Sequence, residues 1–172
     1  MFWTSVVLVS LLSVNLGAAW AMDPSAVLSD LHMANQHEID MGKMAQEKSQ
    51  SVDVKAYGAQ LVLDHQAADD KVLSLAKKDS IALLSAEARG LLAKHEKAQA
   101  HQMMAELSGK SGAEFDKAFT KAMIKDHKKD IAKLERAEKS LTHAETKELV
   151  SKVLPTLRQH LATAQKLVDK NG

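Results

Sequence analysis

The stretch VKAYGAQLVLDHQAADDKVLSL, residues 54–75, sets Val54, Tyr57, Leu61, His65, Ala68, Val72 and Leu75 at successive intervals of three or four residues. Such intervals bring side chains onto one face of an α-helix. The stretch therefore reads as a helix from about Val52 to Lys78, opened after the polar break Ser49-Gln50-Ser51, with a histidine in the middle of its buried stripe.

The same period recurs on both sides. Upstream, Asp23-Pro24-Ser25 offers a capping side chain and an early proline, so a first helix is expected to run to about Lys48. Its buried positions follow Leu28, Leu31, Asn35, Glu38 or Ile39, and Gly42 or Ala45. Downstream, a shorter segment with a poorly defined apolar face is expected over about 85–107, starting near Ser85-Ala86-Glu87. Ser108-Gly109-Lys110-Ser111-Gly112 reads as a loop, and Ser111 with Glu114 matches a capping box opening a helix to about Ser140. That helix carries Phe119, Met123, His127, Ile131 and Leu134 along its stripe. A last helix, about 146–168, would bury Val150, Val153, Leu157, His160, Ala164 and Leu167, with a kink expected at Pro155.

Composition agrees with an all-α protein: two prolines, seven glycines and 3% aromatic residues in 172. The expected architecture is an antiparallel four-helix bundle, with segment 85–107 as a fifth helix or crossover. Lysine plus arginine number 23 against 22 acidic residues, interspersed, which argues against nucleic acid as a partner. The absence of cysteine excludes disulfides and thiolate chemistry. At the N-terminus, the apolar run Val6 to Leu16 followed by Ala19-Trp20-Ala21 reads as a signal peptide covering residues 1–21, with a retained anchor as the alternative. The run is too short for a comfortable membrane span, so the expectation is an exported, periplasmic or envelope protein with one domain over 22–172 and no span after cleavage.

The midpoints of the four long helices fall near residues 37, 65, 126 and 157, and antiparallel helices of similar length keep their midpoints level. Glu38, His65, His127 and His160 each lie within about three residues, or ~4.5 Å, of one of them. Three imidazoles and a carboxylate at one depth make a credible set of ligands for a transition metal such as zinc, copper, iron or manganese. Asp69 follows His65 by four residues and Asp130 follows His127 by three, so both are candidates to ligate or to orient a ring. Asp64 and Asp126 point about 100° away and read as peripheral: partners for a neighbouring helix, or solvated charges. Paired Glu-x-x-His motifs of the di-iron kind are not formed around Glu38.

On the first helix, Met33, His37, Met41 and Met44, beside His32, could offer a face to copper, but packing against Met103 and Met104 is the plainer reading. His95, His101 and His143 read as solvated surface.

Four motifs carry a family resemblance: Ala34-Asn35-Gln36-His37-Glu38-Ile39-Asp40-Met41-Gly42, the segment Val54-Lys55-Ala56-Tyr57 to Asp64-His65, Phe115-Asp116-Lys117-Ala118-Phe119 to Asp126-His127, and Leu154-Pro155-Thr156-Leu157-Arg158-Gln159-His160-Leu161. In this order they resemble the bacterial family called domain of unknown function 4142. The resemblance implies an exported, ferritin-like protein, with the family's recurring elements falling on Glu38, Asp64-His65, Asp126-His127, and Pro155 with His160. It implies no reaction. No nucleophilic triad or phosphate loop stands out, so an enzyme is the lesser expectation. The function expected is metal handling or envelope stress protection through a bound metal ion; the alternative is a non-catalytic envelope protein whose buried polar layer holds no metal.

Overall fold

The computed structural model describes residues 21–171, so the expected signal peptide lies outside the described residues except for Ala21. Five helices follow one another: α1 (Pro24–Lys48), α2 (Val52–Lys78), α3 (Leu91–Ser108), α4 (Gly112–Ser140) and α5 (Ala144–Asn171). Two N-termini are capped as their sequences suggest, with Asp23 accepting from the Ser25 N–H and Ser51 from the Val54 N–H. The capping box at Ser111 does not form: its side chain makes no cap bond, and Glu114 pairs with Lys110 instead. Nor does α3 start at Ser85. Residues 81–85 are irregular and 86–89 form a turn, and the helix begins only after Gly90, whose φ of 93° suits a residue without a Cβ.

The four long helices form the expected bundle. α1 packs on α2, α2 on α5, α5 on α4, and α4 closes the ring on α1. One end of the core gathers Leu28 and Leu31 of α1, Val72 of α2, Leu134 of α4 and Val150 of α5. The other gathers Met41 and Ala45, Leu61 and Tyr57, Phe119 and Met123, and Ala164. Chain direction follows from these ends: every neighbouring pair in the ring is antiparallel. α2 and α4 thus run the same way on opposite corners, and the chain must travel the bundle's length between them. Segment 79–111 makes that crossover, with α3 lying against α1 and α4.

α3 buries only Ala93 and Leu107, which explains why its sequence shows no clear apolar face. Charge fixes its position instead. Glu96 holds Lys133 at 3.0 Å and Lys129 at 3.3 Å, while Asp30 on α1 pairs with Arg89 and Lys133. Before it, the Leu84 N–H donates to the buried Ser29 hydroxyl of α1 at 2.8 Å, fastening the connection to the bundle.

α1 and α2 approach very closely. A Cβ on Gly42 would stand 2.5 Å from the Gly58 carbonyl oxygen, and one on Gly58 would stand 2.7 Å from Ala45 Cβ. Only glycines allow this contact, which draws the C-terminal part of α1 against the N-terminal part of α2. α5 runs unbroken through Pro155. Among the described residues, no helix is long and apolar enough to cross a membrane.

Candidate metal centre

Between the two apolar ends lies a polar layer: Asn35 and Glu38 from α1, His65 from α2, His127 from α4 and His160 from α5, all buried. The structure thus brings the three histidines together from three helices at mid-height. Ring centroids are 6.1 Å apart for His65 and His127, 5.3 Å for His65 and His160, and 5.4 Å for His127 and His160. One ring nitrogen from each lies within 4.8 Å of one from each of the others.

Each ring is anchored through one nitrogen to an oxygen. His65 Nδ1 meets Asn35 Oδ1 at 2.9 Å, His127 Nδ1 meets the Met123 carbonyl at 3.0 Å, and His160 Nε2 meets Asp64 Oδ2 at 2.8 Å. Since these oxygens accept, the anchored nitrogens carry the protons, and the opposite nitrogens keep their lone pairs. Those opposite nitrogens, His65 Nε2, His127 Nε2 and His160 Nδ1, are buried without a hydrogen-bond partner.

Burial also keeps His65 and His127 neutral. His65 is pushed well below the usual histidine range by desolvation first, then by His160 and His127. His127 is lowered to about 4 by desolvation and His160, against a smaller opposing effect of the Met123 carbonyl. Neutral imidazole with a free lone pair is the ligating form.

Glu38 stands behind this group, not within it. Its Oε1 lies 3.7 Å from His127 Nδ1, the anchored nitrogen, and neither carboxyl oxygen has a donor. Desolvation raises its pKa well above the ordinary value, helped by Asp126 and Asp130, and a protonated Glu38 would share its proton with Asp126. Tyr57, buried with its hydroxyl unpartnered, stacks edge-on to His160 with centroids 6.3 Å apart.

The aspartates around His65 turn to different neighbouring helices. Asp69, expected beside His65, accepts from Gln36 Nε2 and meets His32 Nδ1, each at 2.7 Å, on the α1 side. Asp64, expected at the periphery as a partner for a neighbouring helix or a solvated charge, is such a partner, and it orients His160 of α5. The cause is topological: α2 neighbours both α1 and α5, and residues one position before and four after His65 turn to different neighbours. Asp130 is half-buried near Asp126 and Glu38, with its pKa raised to about 7 by desolvation and Asp126.

A cleft of about 670 Å³ between α1, α3 and α4 reaches the layer, with Asn35 and His65 in its lining and His37, Asp126 and Asp130 on its walls. A smaller opening of about 110 Å³ between α2 and α5 also touches Asp64 and His65. Of the methionine face, Met41 is sealed in the core with Met44, Met103 and Met104 packed against that cluster, and Met33 Sδ accepts from Arg89. His143, expected to be plain surface, lies half-buried near Asp79 and Glu145. Asn35 and Tyr57 stood in the predicted stripes, but nothing in their spacing marked them as partners of the histidines.

No curated protein matches the chain. Among solved structures, the crystal structure of a Streptomyces coelicolor protein of the class DUF305, described as secreted, has a TM-score of 0.72 at 10% sequence identity. The match covers 87% of this chain and 94% of that one, and at this identity it speaks for the fold. Residues 12–167 match the family described as Domain of unknown function (DUF4142), and the chain belongs to that family.

Proposed function

We propose that the protein is an exported metal-handling protein of the cell envelope, holding a divalent transition metal among His65, His127 and His160. The observation that carries this reading is the set of three buried imidazoles, each with one nitrogen anchored to oxygen and the other without a partner. Leaving such groups unmatched costs kilocalories each. A water molecule could donate to two of the three lone pairs; a Lewis acid satisfies all three. Oxygen partners behind ligating histidines are also the usual means of fixing ring orientation in metal sites.

Imidazole donors suit zinc, copper and iron better than harder cations. Tetrahedral zinc with Zn–N of about 2.0–2.1 Å sets its nitrogens ~3.3 Å apart, inside the 4.8 Å within which the three ring nitrogens lie. Three protein ligands leave a fourth position for water or a small ligand, which the cleft beside His65 could deliver. Asp64 and Asn35 would hold rings, and Glu38 would act behind His127. Export is supported by the N-terminal apolar run and by likeness to a protein described as secreted. The single long crossover accords with a ferritin-like bundle.

Metal analysis of protein purified without an affinity tag tests the reading. Wild type should carry about one transition metal per chain, and His65→Ala/His127→Ala should lose it. Equal metal content in the two proteins would refute it.

A further inference from the structure

The side of the ring between α1 and α4 is its loosest, and α3 lies over it from outside. The space enclosed there is the cleft of about 670 Å³, inside the ~300–1,000 Å³ of sites that hold small organic molecules. It runs deep. Leu31, Leu134, Val153 and Leu157, all buried core residues, line its inner end, and the last two belong to α5, diagonal to α1 in the ring. Each covering helix also lines it with an alanine, Ala34 on α1, Ala100 on α3 and Ala122 on α4, where a larger side chain would take up the space.

Apolar walls offer water no partners, so a space of this kind favours an apolar guest. One polar group among these walls is nevertheless unanswered. Asn35, 3% exposed, gives Oδ1 to His65 and leaves Nδ2 buried without an acceptor. An amide N–H₂ in that position calls for an oxygen that accepts. A charge is not called for, because the ionic groups of the walls answer one another: Arg89 and Lys133 pair with Asp30, Lys129 and Lys133 with Glu96, and Asp126 with His37. We propose that the cleft is a binding site for a small uncharged organic molecule, its apolar body against Leu31, Leu134, Val153 and Leu157 and a carbonyl oxygen accepting from Asn35 Nδ2. Such binding needs no metal, so the site stands or falls separately from the imidazole centre.

Metal-stripped whole protein titrated with Prodan, an uncharged naphthalene ketone dye whose emission moves to the blue on leaving water, tests this. Wild type should bind about one dye per chain, with blue-shifted emission. Ala100→Trp fills the cleft from α3, outside the four-helix core, and should weaken binding at least about tenfold. Asn35→Asp keeps an oxygen for His65 and removes the donor, and should weaken binding about fivefold or more. Leu91→Ser/Leu92→Ser removes the exposed leucine pair at the start of α3 and should leave binding unchanged. An anionic naphthalene sulfonate dye should bind more weakly than Prodan. No binding by folded wild type, undiminished binding in Ala100→Trp, or loss of binding with the exposed leucines would overturn the site. Undiminished binding in Asn35→Asp would overturn the carbonyl contact, and tighter binding of the sulfonate would overturn the uncharged class of ligand.

Discussion

His127 enters the folded protein neutral, its pKa lowered to about 4, while in the unfolded chain it titrates near 6.5. The unfolded state therefore binds more protons between these values, and the histidine's contribution to stability is whole above about pH 6.5 and lost as pH falls toward 4. His65 acts in the same direction. Asp130 acts in the opposite one. Its folded pKa of about 7 lies above the ordinary 3.8, so its contribution is whole at low pH and lost as pH rises through about 7. In metal-stripped protein, denaturant titration should accordingly find Asp130→Asn more stable than wild type above pH 7 and close to it near pH 4. His127→Gln should flatten the loss of stability on acidification.

The aspartates beside His65 give a sharper contrast at the same scale. Asp64→Ala removes the acceptor that fixes His160, and transition-metal affinity should fall by roughly 10–100-fold. Asp69→Asn touches only His32 and Gln36, and affinity should stay within about twofold of wild type. A competition titration with a chromophoric chelator measures both. The histidines themselves were legible in the sequence because each sits in an apolar stripe. Their partners were not, because which neighbour an α2 side chain meets depends on the ring order of helices, which periodicity does not contain.

At the scale of elements, helix limits were largely written in the caps and breaks: Asp23-Pro24, Ser49-Gln50-Ser51 and Ser108 to Gly112 fall at or beside the observed ends. The inner half of the α2 stripe was less legible. Asp69, Val72 and Ala76 are buried, whereas Ala68 and Leu75 are partly exposed. A helix of 3.6 residues per turn drifts across its partner, and polar groups on α1 give Asp69 a reason to turn inward. The Gly42–Gly58 contact left no mark beyond two glycines in helical stretches. Gly→Ala in a helix interior ordinarily stabilises by up to about 1 kcal/mol. Here Gly42→Ala should reverse that sign and cost on the order of 1–3 kcal/mol, because the new Cβ meets backbone, which cannot rotate away. Thermal unfolding of the variant reads the sign directly.

Across the whole molecule, the polar layer divides the core into two apolar halves held in the same four helices. The level arrangement of Glu38, His65, His127 and His160 was readable because helix lengths are similar and neighbours antiparallel. The path of residues 79–111 was not, since a crossover helix fastened by Asp30, Arg89, Glu96 and Lys133 needs no apolar stripe. The bundle thus packs apolar side chains at both ends and gathers its buried polar ones in the middle.

The most direct test of that assignment is anomalous diffraction from crystals of the untagged protein, grown with zinc or copper and measured across the metal's absorption edge. The arrangement predicts one strong peak among His65, His127 and His160, about 2.0–2.1 Å from a nitrogen of each for zinc. No peak in the layer, with density only at surface histidines, would contradict it.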